Sequence, residues 1–198
     1  MVVERIELTR AETEALERDI NLRRHVERYA AARQFLFGTV LDASCGVGYG
    51  SWLCQKNPDV DLMLGIDADP AAIAWARQHF TTQKTRFECC RIEDFPARKI
   101  DVLLSLETVE HLEHPEALAE LAGRCAAEEV VVSFPQKKTT HYNGFHRWDL
   151  SAQDLLDMFG GFARTATIDQ SSDYLLLHLV RLRPRHHAAR RWRLAEAG

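Results

Sequence analysis

From Gly38 onward, short apolar runs recur between polar breaks marked by glycine or proline, at residues 39–43, 61–66, 85–90, 100–106 and 129–134. Each is followed by a turn and mostly by a helical stretch, a rhythm that predicts a βαβ series with a parallel sheet. Asp69-Pro70 reads as an N-cap with proline at the first helical position, opening a helix through Ala71, Ile73, Ala74 and Ala76. Before the first strand, residues 3–36 lack Pro and Gly and place Ile6, Leu8, Leu16, Ile20, Leu22 and Val26 at a broken helical spacing. One or two helices are expected there, with Thr9 and Glu12 in capping-box relation. Near the other end, Ser151 caps a helix through Leu155, Leu156 and Met158 that Gly160-Gly161 terminates. Two strands then follow closely, 163–169 and 174–182, and the short polar link between them implies an antiparallel hairpin.

Composition narrows the class without naming a function. At 198 residues the chain is long enough for one domain, expected over 1–182 with a helical cap at 3–36, followed by a basic tail at 183–198. Charged residues at 27% and hydrophobic ones at 46% are ordinary globular values, and a net charge of −4 gives no overall attraction to nucleic acid. The five cysteines are odd in number and form no Cys-x-x-Cys pair, so a disulfide framework or zinc knuckle is not indicated and a reducing cytoplasm fits. The sequence shows no signal-peptide core, no apolar run of membrane-spanning length and no internal repeat. Cys89 and Cys90 fall on a strand expected to be buried, where packing is their expected role.

The stretch Val40-Leu-Asp-Ala-Ser-Cys-Gly-Val-Gly-Tyr-Gly50 carries the first chemical signal. Its three glycines lie where a strand must turn sharply and let a ligand approach the backbone, ahead of a helix start whose free amides favour an anionic group. Asp67 follows Gly46 by 21 positions at the end of the second strand, close to the ~20 expected of an acid that hydrogen-bonds a ribose. Since Asp69 fills the capping role, Asp67 is expected to be free for a ligand. Asp42 would repel a pyrophosphate but suits the ammonium of a methionine-like ligand. With Gly65-Ile-Asp-Ala-Asp69, these motifs resemble, in order and spacing, those of the class I S-adenosylmethionine-dependent methyltransferases over roughly residues 23–182.

The resemblance implies a Rossmann-like α/β fold with a mixed seven-stranded sheet and S-adenosylmethionine as cofactor. It implies cofactor contacts from Asp42, Ser44, Gly46, Gly48, Tyr49, Asp67, Ala68, Ile92, Glu93 and Leu106. In the third motif, Arg91 stands where the family often has an acid for the adenine amino group, and arginine has no acceptor. The backbone around Ile92, or Glu93, must then read the adenine. After the fourth strand, Glu107, Glu110 and His111 stand at helical offsets that place all three on one face, and His111 is the candidate general base. His146, in the aromatic segment 141–148 after the fifth strand, completes the catalytic set on a substrate-side loop.

An Asn/Asp-Pro-Pro-aromatic element, the mark of base amino-methylating enzymes, is absent after the fourth strand. The expected acceptor is therefore a hydroxyl of a sugar or other small polar metabolite. His25-Val-Glu-Arg-Tyr29 and Gly48-Tyr-Gly-Ser51 resemble bacterial members found with sugar-modifying enzymes, for which no metal is assigned. Small-RNA terminal 2′-O-methyltransferases share the Glu-x-x-Glu-His turn, and there the matching Glu107, Glu110, His111 and His146 would bind a divalent metal. A metal-dependent RNA methyltransferase is thus one alternative, and a non-catalytic cofactor-binding scaffold another. The scaffold reading draws on Arg91 and on Arg124-Cys-Ala-Ala-Glu128, which lacks the family's usual Pro-Gly-Gly-like turn. The basic segment 181–193 could grip RNA or an anionic surface.

Overall fold

The computed structural model of the chain describes residues 10–170 and 174–182. Helix α1 (Arg10–Ala32) and a single 3-10 turn (Arg33–Phe35) precede the sheet. Then β1 (Gly38–Ala43), α2 (Tyr49–Cys54), β2 (Val60–Asp67), α3 (Pro70–Phe80) and β3 (Thr85–Cys89) follow in turn. The second half comprises β4 (Val102–Leu106), α4 (Glu116–Arg124), β5 (Glu129–Pro135), α5 (Ala152–Met158), β6 (Phe162–Gln170) and β7 (Tyr174–Arg181). The seven strands form one sheet in the order β3-β2-β1-β4-β5-β7-β6. All neighbours run parallel except β7, which is antiparallel to both β5 and β6. This is the architecture the polarity pattern predicts, terminal hairpin included. The capping box at Thr9, most of the hairpin link and the basic tail from 183 onward lie outside the described residues.

Two apolar layers cover the sheet, and the strand period of two assigns each side chain to one of them. Leu41, Leu64, Ile66, Leu103, Val130 and Val132 meet Leu118, Leu121, Leu155 and Phe159 on one face. Val40, Met63, Val102, Leu104 and Val131 meet Tyr29, Ala32, Leu36 and Cys54 on the other. Strands buried on both faces read as continuous apolar runs, which is how they stood out in the sequence. Helix starts behave as expected: Asp69 Oδ1 accepts from Ala71 N (2.8 Å), while Ser151 and Asp154 form a reciprocal capping box.

Local departures from the expected pattern have identifiable causes. Strand β4 starts at Val102, and the carboxylate of Asp101 just before it accepts from Thr39 N (2.7 Å). The short link before β5 turns on Ala126 in the left-handed region (φ 50°), where a glycine is more usual, and β5 still pairs with β4 in unbroken register. Cys89 and Cys90 are not buried in the strand as expected. Cys89 is exposed and Cys90 half-buried, because β3 is the sheet's edge strand and ends at Cys89. Among the described residues, no helix is long and apolar enough to cross a membrane.

Strand order reverses at β1, which has β2 on one side and β4 on the other. Loops leaving the carboxyl ends of β1 and β4 therefore diverge and open a crevice, the place where open α/β sheets bind ligands.

Candidate functional site

Two cavities open at that crevice and meet at Ser44. The first, 260 Å³, is lined by Ser44, Ala68, Ile92, Glu93, His111 and Arg147 among others. The second, 190 Å³, is lined by Ser44, His25, Arg28, Tyr29, Tyr49, Leu106 and Glu107. Of the residues expected at the cofactor, Ser44, Tyr49, Ala68, Ile92, Glu93 and Leu106 thus line one cavity or the other. Ser44 itself adopts a left-handed backbone (φ 65°), uncommon for a residue with a Cβ, as the chain leaves β1.

The glycines of this loop have different jobs. A Cβ at Gly46 would meet nothing within 4 Å, so this position is open. At Gly48 (φ 86°) a Cβ would lie 2.7 Å from Ala76 Cβ and 2.8 Å from the Phe87 ring, and at Gly50 it would fall 2.1 Å from the Tyr29 ring. Gly46 has a left-handed backbone (φ 54°) that favours glycine, whereas Gly48 and Gly50 are also required by packing against the protein's own side chains.

Asp67 is not free, as its position suggested. Its Oδ2 accepts from Gly46 N and its Oδ1 from Asp69 N, both at 2.9 Å, so the carboxylate ties the β1 loop to the start of α3. Each oxygen retains further acceptor capacity. Asp42 lines neither cavity. The period of two from Val40 turns it into the layer beneath α1 and α2, where it is fully buried and accepts from Ser51 Oγ (2.5 Å). Burial pushes its carboxyl up to about 7, with the nearby charge of Asp67 adding to this and hydrogen bonds from Ser51 and Tyr29 opposing it.

The segment 107–115 is not a helix. Glu107 leaves β4 in the left-handed region (φ 51°), His111 N donates to Thr108 O (2.9 Å) in a tight turn, and α4 begins after Pro115. A proline disfavours helical geometry in the residue before it, so no helix runs through His114. Glu107, Glu110 and His111 consequently do not share one face. Glu107 turns to the second cavity, accepting from Ser133 Oγ (2.8 Å), with Arg28 Nη2 3.7 Å from its other oxygen. Burial raises its carboxyl above the usual range.

Glu110 points inward and His111 toward the first cavity. The loop carrying His146 is stitched onto this turn: Arg147 N donates to Glu110 O (2.8 Å) and Trp148 Nε1 to Leu112 O (2.9 Å). The His111 Nδ1 lies 2.9 Å from Phe145 O. A carbonyl oxygen only accepts, so Nδ1 carries the proton and, in the neutral ring, Nε2 keeps its lone pair. His146 stands edge-on to His111, with ring centroids 4.6 Å apart. Its imidazole is pushed below its ordinary value, by burial first and by His111 second.

Ligating atoms of Glu110, His111 and His146 all lie within 4.8 Å of one another, and Glu107 is outside the group. Glu110 is 1% exposed, neither carboxylate oxygen has a hydrogen-bond partner among the described residues, and His111 Nε2 is 3.8 Å away. Burial, then the charge of Glu107, pushes this carboxyl up to about 8.

Arg28 and His25 were named in the sequence only as part of the His25-Val-Glu-Arg-Tyr29 wording. Their place in the second cavity depends on α1 folding back over the β1 loop, and the His-x-x-Arg-Tyr spacing was the one signal available.

The profile of the methyltransferase domain family matches residues 15–165, more than half of the chain. Phosphoethanolamine N-methyltransferase 3 of Arabidopsis thaliana is 34% identical over 83 residues, 40% of this chain and 17% of that protein. The ubiquinone biosynthesis O-methyltransferase of Bradyrhizobium sp. (strain ORS 278) is 32% identical over 109 residues, 52% of this chain and 41% of that protein. The chain spans between 16% and 49% of the length of the curated relatives it matches. In fold it is similar to magnesium protoporphyrin IX methyltransferase from Synechocystis PCC 6803, with a TM-score of 0.62 at 18% identity over 90% of this chain and 87% of the other. N-methyltransferase NodS from Bradyrhizobium japonicum WM9 gives 0.65 at 18% identity over 78% and 86%. With its sheet order, its β1 loop and this profile match in agreement, the chain belongs to the methyltransferase domain family and has the fold of the class I S-adenosylmethionine-dependent methyltransferases.

Proposed function

We propose that the chain methylates a hydroxyl of a sugar or other small polar metabolite, with His111 as general base. The observation that carries this reading is the His111 tautomer: the Phe145 carbonyl at 2.9 Å holds the proton on Nδ1 and leaves Nε2 able to take one at the cavity wall. An oxygen acceptor is favoured because the β4 end reads Ser105-Leu-Glu-Thr rather than the proline-rich element of base amino-methylating enzymes.

The cleft fits the cofactor. No atom of the chain lies within 4 Å of where a Cβ at Gly46 would stand, which leaves room for a ligand in this reading, and two cavities joined at Ser44 suit a molecule with two polar ends. In this reading Ala68, Ile92 and Glu93 hold the adenine and Asp67 the ribose. Ser44, Gly46, Tyr49, Leu106 and Arg28 hold the methionine end, where the Arg28 guanidinium supplies a cation for its carboxylate. Gly48 shapes the loop, and Asp42 supports it from beneath through Ser51. S-adenosylmethionine supplies a methyl group already activated on a sulfonium, so the chain's main task is to align the acceptor. Glu107 positions Arg28, Glu110 lies behind the imidazole with a carboxyl that burial keeps largely protonated near neutrality, and His146 limits the rotation of the His111 ring. His111→Ala is expected to lose most methyl transfer in a discontinuous assay while calorimetry shows S-adenosylmethionine affinity retained; unchanged turnover would remove the base assignment.

A second reading, a metal-dependent RNA 2′-O-methyltransferase, is favoured by one observation. Glu110, His111 and His146 converge, and the Glu110 carboxylate is buried without a partner. One carboxylate and two imidazoles suit Mn²⁺ or Mg²⁺. Loss of activity with a chelator and recovery with Mn²⁺ would support it.

A further inference from the structure

We propose that the methyl acceptor is anionic, a hydroxyl compound that also carries a phosphate or a carboxylate, and that Arg147 is the specificity residue binding this group beside His111. The proposal rests on the reading of His111 as the base that meets the acceptor hydroxyl.

The first cavity has two sides. Ala68, Arg91, Ile92 and Glu93, on the loops after β2 and β3, form the side assigned to the adenine, and there Arg91 and Glu93 offset each other's charge (Nη2 to Oε1, 3.4 Å). His111, Leu112, Glu113 and Arg147 form the other side. The Arg147 guanidinium has no hydrogen bond or ion pair among the described residues. A guanidinium in a cavity wall with its donors unused can hold an oxyanion through two parallel N–H bonds, and phosphate and carboxylate both match that fork. A neutral acceptor would leave it with water alone.

Placement separates Arg147 from an ordinary solvated surface charge. Its backbone N donates to Glu110 O (2.8 Å), His111 Nδ1 donates to Phe145 O two positions before it (2.9 Å), and the next residue, Trp148, donates from Nε1 to Leu112 O (2.9 Å). The chain on both sides of Arg147 is thus fixed to the turn that carries the base, so an anion on the guanidinium and a hydroxyl at His111 Nε2 belong to one molecule of modest size. Asp149, two positions on, is not available to neutralise the cation. Its oxygens are engaged by Thr139 N (2.7 Å), Thr140 N (3.1 Å) and Thr140 Oγ1 (2.7 Å). Glu113, the acid on the same side of the cavity, is exposed and forms no ion pair with Arg147. Salt and water screen its repulsion, which weakens the capture of an anion without cancelling a direct charge-assisted bond.

The test is calorimetry on the full chain saturated with S-adenosylhomocysteine, with glucose, glucose 6-phosphate and glucuronate as probes, for wild type, Arg147→Gln and Arg147→Lys. At least one anionic probe is expected to bind wild type about tenfold or more tighter than glucose, equivalent to at least ~1.4 kcal/mol, and the two anionic arms tell a phosphate from a carboxylate. Arg147→Gln should bring that probe to the level of glucose while S-adenosylhomocysteine affinity stays as in wild type, since the backbone bond to Glu110 is untouched. Arg147→Lys should restore part of the preference, because it returns the charge without the fork. Equal binding of all three probes, no binding of either anionic probe at millimolar concentration, a preference that survives Arg147→Gln, or an equal loss of S-adenosylhomocysteine affinity in that variant would each overturn the proposal. Those results leave the earlier assignments standing. Wild type that fails to bind S-adenosylhomocysteine would overturn the cofactor assignment instead, and unchanged turnover in His111→Ala the base assignment.

Discussion

Replacing Asp42 with asparagine isolates the cost of burying a carboxylate beneath the cofactor loop. In the folded protein this group titrates at about 7, against an ordinary value of 3.8, with burial as the main cause. The folded state therefore holds a proton that the unfolded chain has released throughout that interval, and stability falls as pH rises through it. The full span corresponds to about 4 kcal/mol, at ~1.4 kcal/mol per pH unit, with the loss complete above pH 7 and absent below the unfolded value. Asparagine preserves shape and an acceptor for Ser51 Oγ but has nothing to ionise. Its amide replaces an Oδ1 that has no partner among the described residues, which adds an offset that does not vary with pH. The measurement is denaturant and thermal unfolding of cofactor-free wild type and Asp42→Asn between pH 5 and 8. The stability of the variant relative to wild type should rise by about 3 kcal/mol between pH 5 and 7, or ~6–12 °C in Tm for a chain of this size, and then level off. A difference between the two proteins that stays constant from pH 5 to 8 would refute the buried, proton-holding Asp42.

Other perturbations probe the same loop. Gly48→Ala should cost roughly 2–5 kcal/mol, combining a left-handed backbone with collision against Ala76 and Phe87. Gly46→Ala should cost only the backbone part, about 1–2 kcal/mol, while weakening S-adenosylmethionine in calorimetry; equal losses of stability for the two would contradict the packing distinction. Asp67→Ala removes the acceptor for Gly46 N and Asp69 N, so the cofactor-free protein should lose about 1–3 kcal/mol in urea unfolding as well as cofactor affinity. Unchanged stability would show that the tie between the two loops is not maintained in solution. Arg28→Ala should weaken S-adenosylmethionine more than it lowers turnover at saturating cofactor, and the reverse split would place Arg28 on the acceptor side.

Much of the fold was legible because burial leaves a direct mark on composition. Strands covered on both faces read as uninterrupted apolar runs, Asp69-Pro70 and Ser151 announced helix starts through backbone amides that need an acceptor, and the short link after β6 allowed no parallel crossover. The three glycines, the acid at the end of β2 and their spacing were likewise readable, since a sharp strand-to-helix turn constrains them locally. Sequence determined, by itself, the succession of strands and helices, the terminal hairpin and most of the polar residues near the crevice. It did not determine where those residues point, because direction depends on contacts between segments far apart in the chain. Asp42 turns inward because the layer of α1 and α2 covers its face, and Asp67 is engaged because Gly46 comes within 2.9 Å of it. Glu107 parts from His111 because the chain leaves β4 with a left-handed residue. Cys89 is exposed because strand order, decided by all seven strands together, leaves β3 at the edge. His146 meets His111 only because Arg147 and Trp148 bind backbone groups of a turn more than thirty residues earlier. Local preferences decide which element forms; the direction a side chain faces is settled by what packs against it, and that is a property of the assembled layers.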